Sequence, residues 1–327
     1  MTDLKAIVPA AGIGKRLRPH TLTTPKVLFN VAGKPIIGHI LDFLIEAGID
    51  DIVVVVGYES SQVERYLHEQ YPEVTRTVQQ TERKGLGHAV HIALEDNEEP
   101  VLIMLGDTII DIELKTILES SKSFIGVREV PNPQAFGVVE MDGKQVQKLV
   151  EKPENPTSNL AIAGIYRIQN QLKLKRSIER LIEQNVTTKG EIQLTDALQD
   201  MLESGEKIEV FNVDNWYDCG SWDSILETNR ILLDKSENGS PVVKDSVINE
   251  PCYIAPTAQL INSIVGPHVT LDEGAIIKNT IISDSVVAKG ATLENCSISG
   301  SLIGEHAHVQ GTVRKLSVGD YSEIKFD

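Results

Sequence analysis

A short repeat near the C-terminal end of the chain constrains the fold more than any other feature. The tetrapeptide that starts at Asn262 (Asn-Ser-Ile-Val) recurs at Asn279 (Asn-Thr-Ile-Ile), and Ile298 follows Ile281 at the same interval. Apolar residues recur about every six positions at Ile248, Ile254, Leu260, Val265, Leu271 and Ile277. Three six-residue rungs form one triangular coil of a β-helix, and one rung must be irregular because the repeat interval is one position short of three full rungs. The repeat therefore favours a β-helix over a small β-sandwich.

Before this repeat the chain alternates short apolar segments with amphipathic ones. Residues 4–8, 52–56 and 101–105 are apolar runs of the length of a buried strand. Between the first two runs lies a helical face formed by Ile37, Ile40, Leu41 and Leu44. Because alternating strands and helices form right-handed crossovers, they produce a mostly parallel sheet. We therefore predict an α/β fold, in which a Rossmann-like, mostly parallel mixed sheet is flanked by helices and is followed by a small parallel β-helix.

A polar linker separates these two parts of the chain. Residues 234–240 have the sequence Asp-Lys-Ser-Glu-Asn-Gly-Ser, which is typical of a domain boundary. We predict one domain over residues 1–235 and a β-helix domain over residues 241–327. Because an open end of a β-helix leaves backbone groups to be covered, we also predict a homo-oligomer.

Charge and cysteine content narrow the class of ligand. The chain has 31 basic and 47 acidic residues, a net charge of −16, which argues against general binding to nucleic acid or membrane surfaces. No apolar run approaches the roughly 20 residues that span a bilayer, and the N-terminus does not resemble a signal peptide. The three cysteines are widely spaced, which indicates a reducing, cytoplasmic compartment. An anionic ligand would need a local cationic pocket, a metal ion or both.

A glycine-rich loop follows the first predicted strand. Gly12 and Gly14 allow backbone amides to approach a phosphate, and Arg16 adds a cation suited to phosphate oxygens. A dinucleotide-binding fingerprint is disfavoured because Leu17 stands where glycine or alanine is required. The acidic residue that the fingerprint needs about 20 positions later is also missing, which argues against a nicotinamide-dependent oxidoreductase. A solvated basic loop is the alternative explanation of this segment.

Two aspartates stand beside glycines at widely separated points of the chain. Asp107 follows Gly106 at the end of a predicted buried strand, and Asp218 lies two residues before Gly220. Two carboxylates together with phosphate oxygens and water form the ligand set that Mg²⁺ prefers. Either aspartate alone is better explained as a loop cap or a turn residue. The pair predicts a magnesium site only in combination with the glycine-rich loop.

Other polar positions suit a nucleotide and a sugar phosphate. Gln80, five residues before Gly85, carries a donor and an acceptor and can pair with the edge of a pyrimidine. Glu151 can accept hydrogen bonds from sugar hydroxyls, and Lys152 can bind a phosphate. The competing explanations are an ordinary polar loop before a helix and a surface charge pair before a proline turn.

The order of these motifs resembles that of the sugar-1-phosphate nucleotidylyltransferase family, most closely its glucose-1-phosphate thymidylyltransferase and uridylyltransferase branches. The resemblance covers about residues 4–235 and depends on Gly12-Ile-Gly14-Lys-Arg16-Leu with Pro25-Lys26, Gln80 with Gly85-Leu-Gly87, Gly106-Asp107, Phe136-Gly137-Val-Val-Glu140, Glu151-Lys152-Pro153, Gly190-Glu191-Ile-Gln-Leu-Thr195-Asp196 and Trp216-Tyr-Asp218-Cys-Gly220. The C-terminal repeat resembles the left-handed β-helix that some members carry. Residues 27–31 depart from the best-studied thymidylyl enzymes, so the base and sugar preferences stay open.

The resemblance implies a role for each matched position. The family transfers a nucleotidyl group from dTTP or UTP to a sugar 1-phosphate, with glucose 1-phosphate the expected acceptor, and releases pyrophosphate. It uses Mg²⁺, which the resemblance assigns to Asp107 and Asp218, and the resemblance implies that Lys26 binds the phosphates of the reacting pair. From the chemistry of the transfer we assign charge stabilisation in catalysis to Arg16 and Lys26. Nucleotide binding falls to Ala11, Gly12, Gly14, Gln80, Gly85 and Asp107, and sugar-phosphate binding falls to Gly137, Glu151, Lys152 and Lys189.

Two alternatives share the same predicted fold. One is a non-catalytic regulatory or scaffold relative, which is disfavoured because the two basic and two acidic catalytic positions are all retained. The other adds an acetyltransferase activity to the β-helix, with His306 and His308 as candidate bases. The repeat region leaves little room for an acyl-CoA site, so we expect a structural or oligomerisation element instead.

Overall fold

The computed structural model describes residues 4–143, 145–236 and 245–311. The strands up to residue 218 are β1 Lys5–Pro9, β2 Asn30–Val31, β3 Lys34–Pro35, β4 Ile52–Val56, β5 Thr75–Gln79, β6 Val101–Met104, β7 Thr108–Asp111, β8 Ser123–Glu129, β9 Gly137–Asp142, β10 Gln145–Glu151, β11 Leu160–Ile168, β12 Ile208–Asn212 and β13 Asn215–Asp218. The helices are α1 Ile36–Glu46, α2 Ser60–Gln70, α3 Leu86–His91, α4 Lys115–Leu118, α5 Gln171–Glu183, α6 Leu194–Glu203 and α7 Trp222–Lys235. Short 3₁₀ turns occupy Lys15–Leu17, His20–Leu22, Lys26–Leu28 and Pro133–Ala135.

The central sheet has nine strands in the order β5-β4-β1-β6-β11-β8-β12-β10-β9. The first four of these strands run parallel to one another, as the alternation of strands and helices predicts. β11 is antiparallel to both β6 and β8, and β9 and β10 form an antiparallel pair. The predicted Rossmann-like mixed α/β sheet is therefore confirmed, and its four adjacent parallel strands come from the N-terminal part of the chain, while β12 adds a further parallel pairing with β8.

Buried aliphatic residues explain the inner strands and the first helix. β4 has the sequence Ile-Val-Val-Val-Val, and all five side chains are buried, as expected for a strand in a sheet covered on both faces. The predicted face of α1 is fully buried: Ile37, Ile40, Leu41 and Leu44. Helix α1 begins directly after Pro35, and Gly48, with a φ of +86°, follows its end.

A separate two-stranded sheet joins two distant parts of the chain. β7 pairs antiparallel with β13, and Thr108 lies opposite Asp218. The N–H of Cys219 donates a hydrogen bond to the carbonyl oxygen of Asp107 at 3.0 Å. This ladder places the two predicted metal-binding aspartates side by side.

From residue 245 onward the described chain forms short strands of two or three residues. They are β14 Val247–Ile248, β15 Cys252–Ile254, β16 Gln259–Ile261, β17 Ile264–Val265, β18 Val269–Leu271, β19 Ile276–Lys278, β20 Ile281–Ser283, β21 Val286–Val287, β22 Thr292–Glu294, β23 Ser297–Ser299, β24 Leu302–Ile303 and β25 His308–Gln310. Every third strand joins the same sheet, which produces three four-stranded parallel sheets. These sheets stack like a left-handed β-helix, so the fold predicted from the repeat is confirmed.

The coil length corrects one detail of the predicted repeat. Ile264 pairs with Ile281, at the predicted interval, but Ile281 pairs with Ser297 and not with Ile298. The predicted correspondence of Ile281 with Ile298 is therefore wrong, because the coil that follows Ile281 is shorter by one position than the coil before it. The shorter coil stacks Ile282 on Ile298 and keeps both side chains in the column that points inward.

Apolar columns and an asparagine ladder stabilise the β-helix. Its fully buried column residues include Val265, Ile282, Leu271, Val287, Ile277 and Leu293. At one corner Asn262, Asn279 and Asn295 have φ values of 48°, 48° and 53°, in the left-handed region that asparagine tolerates. The Nδ2 of Asn262 donates to Oδ1 of Asn279 at 2.8 Å, and the Nδ2 of Asn279 donates to Oδ1 of Asn295 at 3.0 Å. The repeated asparagines are thus explained by backbone conformation and by their own hydrogen bonds.

The chain divides into two compact units. The sheet unit contains residues 34–228 with the N-terminal segment that ends at Phe29, and the β-helix unit contains Asn30–Gly33 with the residues from Asn229 onward. The division falls inside α7, whereas most of the predicted polar linker at 234–240 lies outside the described residues. The domain limits 1–235 and 241–327 remain predictions. No helix in the described ranges has the length and the apolar character that a membrane span requires.

Candidate active site

Close backbone packing at the ends of parallel strands forms the floor of the site. The N–H of Gly106 donates to the carbonyl oxygen of Pro9 at 3.1 Å, and a Cβ at Gly106 would lie 2.7 Å from that oxygen. A Cβ at Gly57 would lie 2.8 Å from the Cβ of Ala11. These glycines permit a close approach that brings the glycine-rich loop and Asp107 to one edge of the sheet.

The two predicted loop glycines have different physical roles. Gly14 has a φ of +67°, and its carbonyl accepts a hydrogen bond from the Thr21 hydroxyl at 2.9 Å. A Cβ at Gly14 would lie 3.1 Å from the Cβ of Lys26. A Cβ at Gly12 would meet no atom within 4 Å. Gly14 is therefore required by the turn, whereas Gly12 leaves open space beside backbone amides, as a phosphate would need.

Lys26 forms a close ionic contact with Asp107. Its Nζ donates to Oδ2 of Asp107 at 2.7 Å. The side chain of Lys26 is 8% exposed, and that of Asp107 is 38% exposed. The lysine is thus held within the wall of the site, while the carboxylate stays accessible to a ligand.

Arg16 and Asp218 approach each other around Gly220. A Cβ at Gly220 would lie 2.7 Å from Nη2 of Arg16 and 2.7 Å from Oδ2 of Asp218. The β7–β13 ladder holds Asp218 beside Asp107. The structure therefore brings together the four charged residues that are predicted to act in catalysis and metal binding. Because Gly220 has no side chain, it leaves space for Arg16 and Asp218.

The two aspartates experience this environment differently. Burial acts to raise the pKa of Asp107, but the charges of Lys26 and Arg16 outweigh it, so that the pKa is lowered. Burial, followed by the Asp107 carboxylate, raises the pKa of Asp218 against the opposing effects of Lys26 and Arg16. Negative charge at Asp218 is therefore incompletely offset by the protein, which favours the binding of a further cation there.

A divalent cation fits this pair of carboxylates. Within the described residues, no group of three or more His, Cys, Asp or Glu side chains is placed to hold a metal ion. Mg²⁺ is typically bound by one or two carboxylates and completes its shell with water and substrate phosphates. Asp107 and Asp218 therefore suit Mg²⁺ that arrives with a polyphosphate, and not a metal held by protein ligands alone.

The residues predicted to recognise a base lie on the loop between β5 and α3. Gln80 is 8% exposed, and its backbone N–H donates to the carbonyl of Val56 at 2.8 Å. Gly85 has a φ of +105°, and a Cβ there would lie 2.7 Å from the carbonyl oxygen of Ile192. That same oxygen accepts a hydrogen bond from the N–H of Gly87 at 2.8 Å. Only glycine fits at position 85, and the loop is fixed by its contact with the Ile192 segment.

Three residues predicted to bind the sugar phosphate form a second cluster. Glu151 Oε2 accepts a hydrogen bond from the Thr195 hydroxyl at 2.7 Å, and Oε1 lies 3.2 Å from Nζ of Lys152. Gly137 stands opposite Glu151 in the β9–β10 register. A Cβ at Gly137 would lie 3.1 Å from Glu151 Oε2 and from Thr195 Oγ1, so that a larger residue would press against both groups.

Lys189, the fourth residue predicted for the sugar phosphate, lies in an exposed turn. Its φ is +57°, and the turn is closed by a bridge between Thr188 and Glu191. The Thr188 side chain hydrogen-bonds Asp196, whose pKa is raised by burial and by the Glu151 carboxylate. The turn is therefore anchored beside the Glu151 cluster, but within the described residues no contact between Lys189 and that cluster is recorded.

A cavity of about 530 Å³ lies beside the residues predicted to act in catalysis and nucleotide binding. It is lined in part by Ala11, Gly12, Gly14, Arg16, Lys26, Gln80, Gly85, Asp107 and Gly220. The pKa of Tyr166, a buried residue of β11, is raised by burial and then by the charges of Glu151 and Asp107.

Several site residues escape sequence analysis. Thr195 and Asp196 stand in a matched motif, but the sequence does not show that they contact Glu151 or respond to its charge. Trp216 packs edge-on against Phe136, with ring centroids 5.0 Å apart. Among the described residues, Nε1 of Trp216 and Oδ2 of Asp196 are buried without a hydrogen-bond partner. The matched motifs contain these residues, but no local signal predicts their contacts, because those contacts depend on which strands pair.

Comparison with known proteins identifies the family. A family model described as "Nucleotidyl transferase" matches residues 5–235. The chain is 33% identical to the "Bifunctional protein GlmU" of Methanocaldococcus jannaschii, over 92% of this chain and 80% of that protein. It is 29% identical to a glucose-1-phosphate thymidylyltransferase of Streptomyces griseus, over 98% of this chain and 99% of that one.

Two further comparisons extend this result. A bifunctional sugar-1-phosphate nucleotidylyltransferase/acetyltransferase of Sulfurisphaera tokodaii is 30% identical over 98% of this chain and 85% of its own length. A crystal structure of a UDP-glucose pyrophosphorylase complexed with UDP-glucose superposes with a TM-score of 0.61 at 26% identity. That superposition covers 71% of this chain and 99% of the other. The matches thus include relatives of the whole chain and a solved neighbour with a bound nucleotide sugar.

Proposed function

The chain belongs to the nucleotidyl transferase family, and we propose that it transfers a nucleotidyl group from dTTP or UTP to a sugar 1-phosphate, with release of pyrophosphate. Glucose 1-phosphate is the proposed acceptor. The observation that carries this proposal is that Lys26, Arg16 and Asp107 line the cavity and that Asp218 lies beside them, so that two cations and two carboxylates are available to a metal-bound polyphosphate. The names of the thymidylyl and uridylyl relatives support the choice of triphosphates.

The chemistry of this transfer explains the residue types in the site. A sugar phosphate is already an anion, so it can attack the α-phosphorus without a general base. The protein must then position the reactants in line and neutralise crowded negative charge. We assign charge stabilisation to Arg16 and Lys26, and we assign Mg²⁺ binding to Asp107 and Asp218. When bound there, Mg²⁺ would neutralise charge on the α-phosphate.

The second cluster suits the sugar. Glu151 presents a carboxylate that Thr195 already orients, and the ammonium of Lys152 lies beside it. The unpaired Nε1 of Trp216 and Oδ2 of Asp196 provide a buried donor and a buried acceptor within the described residues. Because unpaired buried polar atoms are costly, hydroxyl groups of a bound sugar would stabilise both.

The proposal is tested by measuring pyrophosphate release over a grid of nucleoside triphosphates and sugar 1-phosphates. We expect turnover with dTTP or UTP and glucose 1-phosphate, and loss of turnover when EDTA removes Mg²⁺. The variant Asp218→Asn tests the metal assignment, and we expect its activity to require more Mg²⁺ than the wild type does. No turnover with any pair would favour the non-catalytic regulatory relative instead.

For the β-helix unit we propose self-association. Of the exposed large hydrophobic residues, Val247, Ile264 and Ile281 are register neighbours on one outer sheet, and Ile281 is 53% exposed. We expect light scattering to show an oligomer of the full chain and Ile281→Glu to lower its mass. An unchanged mass would place the contact elsewhere.

The name of the bifunctional relative keeps acetyl transfer as the second candidate, which an assay of thiol release from acetyl-CoA tests directly.

A further inference from the structure

The side-chain amide of Gln80 has two acceptors on the same side. Its Nε2 donates to the carbonyl oxygen of Gly85 at 3.1 Å and approaches Nδ1 of His88 at 3.1 Å. The Gly85 oxygen can only accept, so the Gln80 atom that faces it must be the nitrogen. The neighbouring Nδ1 must then also accept, which requires the neutral His88 tautomer with its proton on Nε2. Both hydrogens of the Gln80 amide are therefore used within the protein.

This arrangement determines what Gln80 offers to a ligand. Among the described residues, the amide oxygen Oε1 receives no hydrogen bond, and Gln80 lines the cavity. An acceptor that lies opposite N3 of a pyrimidine selects a base that carries a hydrogen on N3. Uracil and thymine carry N3–H, whereas N3 of cytosine is an acceptor and would repel Oε1.

We propose that His88 is a positioning residue for base selection: its Nδ1 holds the Gln80 amide with Oε1 towards the base and so favours uracil or thymine over cytosine. The inference rests on the proposed function. His88 does not touch the nucleotide in this account, and it acts only through Gln80. Without Nδ1, the Gly85 carbonyl alone would hold one amide hydrogen, and the amide could turn about this single bond and present its second hydrogen to N3 of cytosine.

The surroundings of His88 keep it neutral. Burial lowers its pKa first, and the charges of Lys84 and His91 lower it further, while Glu82 opposes them. Because the pKa is lowered, the neutral form persists below the ordinary titration range of histidine. Protonation at still lower pH would convert Nδ1 into a donor, which would repel the amide hydrogen and remove one of the two bonds that hold the Gln80 amide. Selectivity for uracil should therefore fall as the pH falls through this lowered pKa.

The test compares the full-length wild type with His88→Ala and His88→Asn in two measurements. Calorimetry gives the Kd for UTP and CTP, and pyrophosphate release gives kcat and KM for both substrates. We expect His88→Ala to reduce the preference for UTP over CTP roughly tenfold, a change of about 1.4 kcal/mol, with little change in the KM for sugar 1-phosphate. His88→Asn should restore the preference, because its amide oxygen lies close to the position of Nδ1, and should abolish its pH dependence. His68→Ala, an exposed histidine of α2, is the matched control.

The outcomes separate this inference from the proposed function. Equal UTP preference in wild type and His88→Ala, with unchanged melting temperatures, would overturn the positioning role even if pyrophosphate is released normally. A wild type that binds UTP no better than CTP would also overturn it. Selective UTP binding that depends on His88, without any pyrophosphate release, would support the positioning role and refute the proposed reaction.

Discussion

The candidate active site and the stacked coils of the β-helix use side-chain contacts over very different distances along the chain. The ion pair of Lys26 with Asp107 joins residues 81 positions apart, and the bond of Thr195 to Glu151 spans 44. In the β-helix, the asparagine ladder joins residues 17 and 16 positions apart. The coils of the β-helix are therefore held by contacts that repeat from one coil to the next, whereas the site depends on pairing between strands that are far apart in the sequence.

The two units also use polar groups differently. In the β-helix unit, Asn262, Asn279 and Asn295 largely bond to one another. In the sheet unit, Arg16, Lys26 and Asp107 line a cavity, and beside them burial and the Asp107 carboxylate raise the pKa of Asp218. A polar group that is satisfied within the fold stabilises it, whereas an incompletely satisfied group at a cavity is available to a ligand.

The largest effect should come from removing the central charge of the site. We expect Lys26→Ala to lower kcat/KM about a thousandfold, or about 4 kcal/mol, because electrostatic stabilisation of the transition state is lost. Steady-state pyrophosphate release measures this effect, and circular dichroism checks that the variant still folds. Arg18→Ala is the matched control, since Arg18 is an exposed basic residue of the same loop. Turnover close to that of the wild type would remove Lys26 from the catalytic group.

A core truncation in the β-helix unit should affect stability and leave catalysis intact. Leu271 is fully buried and is aligned in register with Ile254 and Val287. We expect Leu271→Ala to lower the free energy of unfolding of this unit by about 3 kcal/mol, from lost burial and the cavity left behind. Denaturant unfolding measures this loss, and Leu271→Met, of similar volume, should cost much less. A fall in turnover under conditions where the variant stays folded would contradict the functional separation of the two units.

The smallest effect should come from one rung of the asparagine ladder. Asn279 has a φ of +48° and two ladder hydrogen bonds, so Asn279→Ala loses the bonds and also strains the backbone. We expect a loss of about 1–2 kcal/mol in the free energy of unfolding. Asn279→Gly loses the bonds without the strain and should be the more stable of the two variants. Equal stability of the alanine and glycine variants would show that backbone conformation contributes nothing at this corner.

The sequence alone predicts those elements whose apolar residues recur at a short interval. The recurrence of aliphatic residues predicts the β-helix, and the apolar runs that alternate with helical faces predict the Rossmann-like sheet. These predictions succeed because the burial pattern of a strand, helix or coil repeats within one to three turns of the same segment. The apolar pattern does not predict that the coil after Ile281 is one residue shorter, because an aliphatic residue lies near the expected position for either coil length.

The contacts between side chains that are far apart in the sequence are known only from the tertiary structure. The pairing of β7 with β13 places Asp218 beside Asp107, and no residue near either aspartate encodes that pairing. The hydrogen bond of Thr195 to Glu151 and the approach of Gln80 to His88 likewise depend on how segments pack. The physical reason is that a local sequence fixes the period and burial of an element, whereas contacts between elements follow from the free energy of the whole packed core.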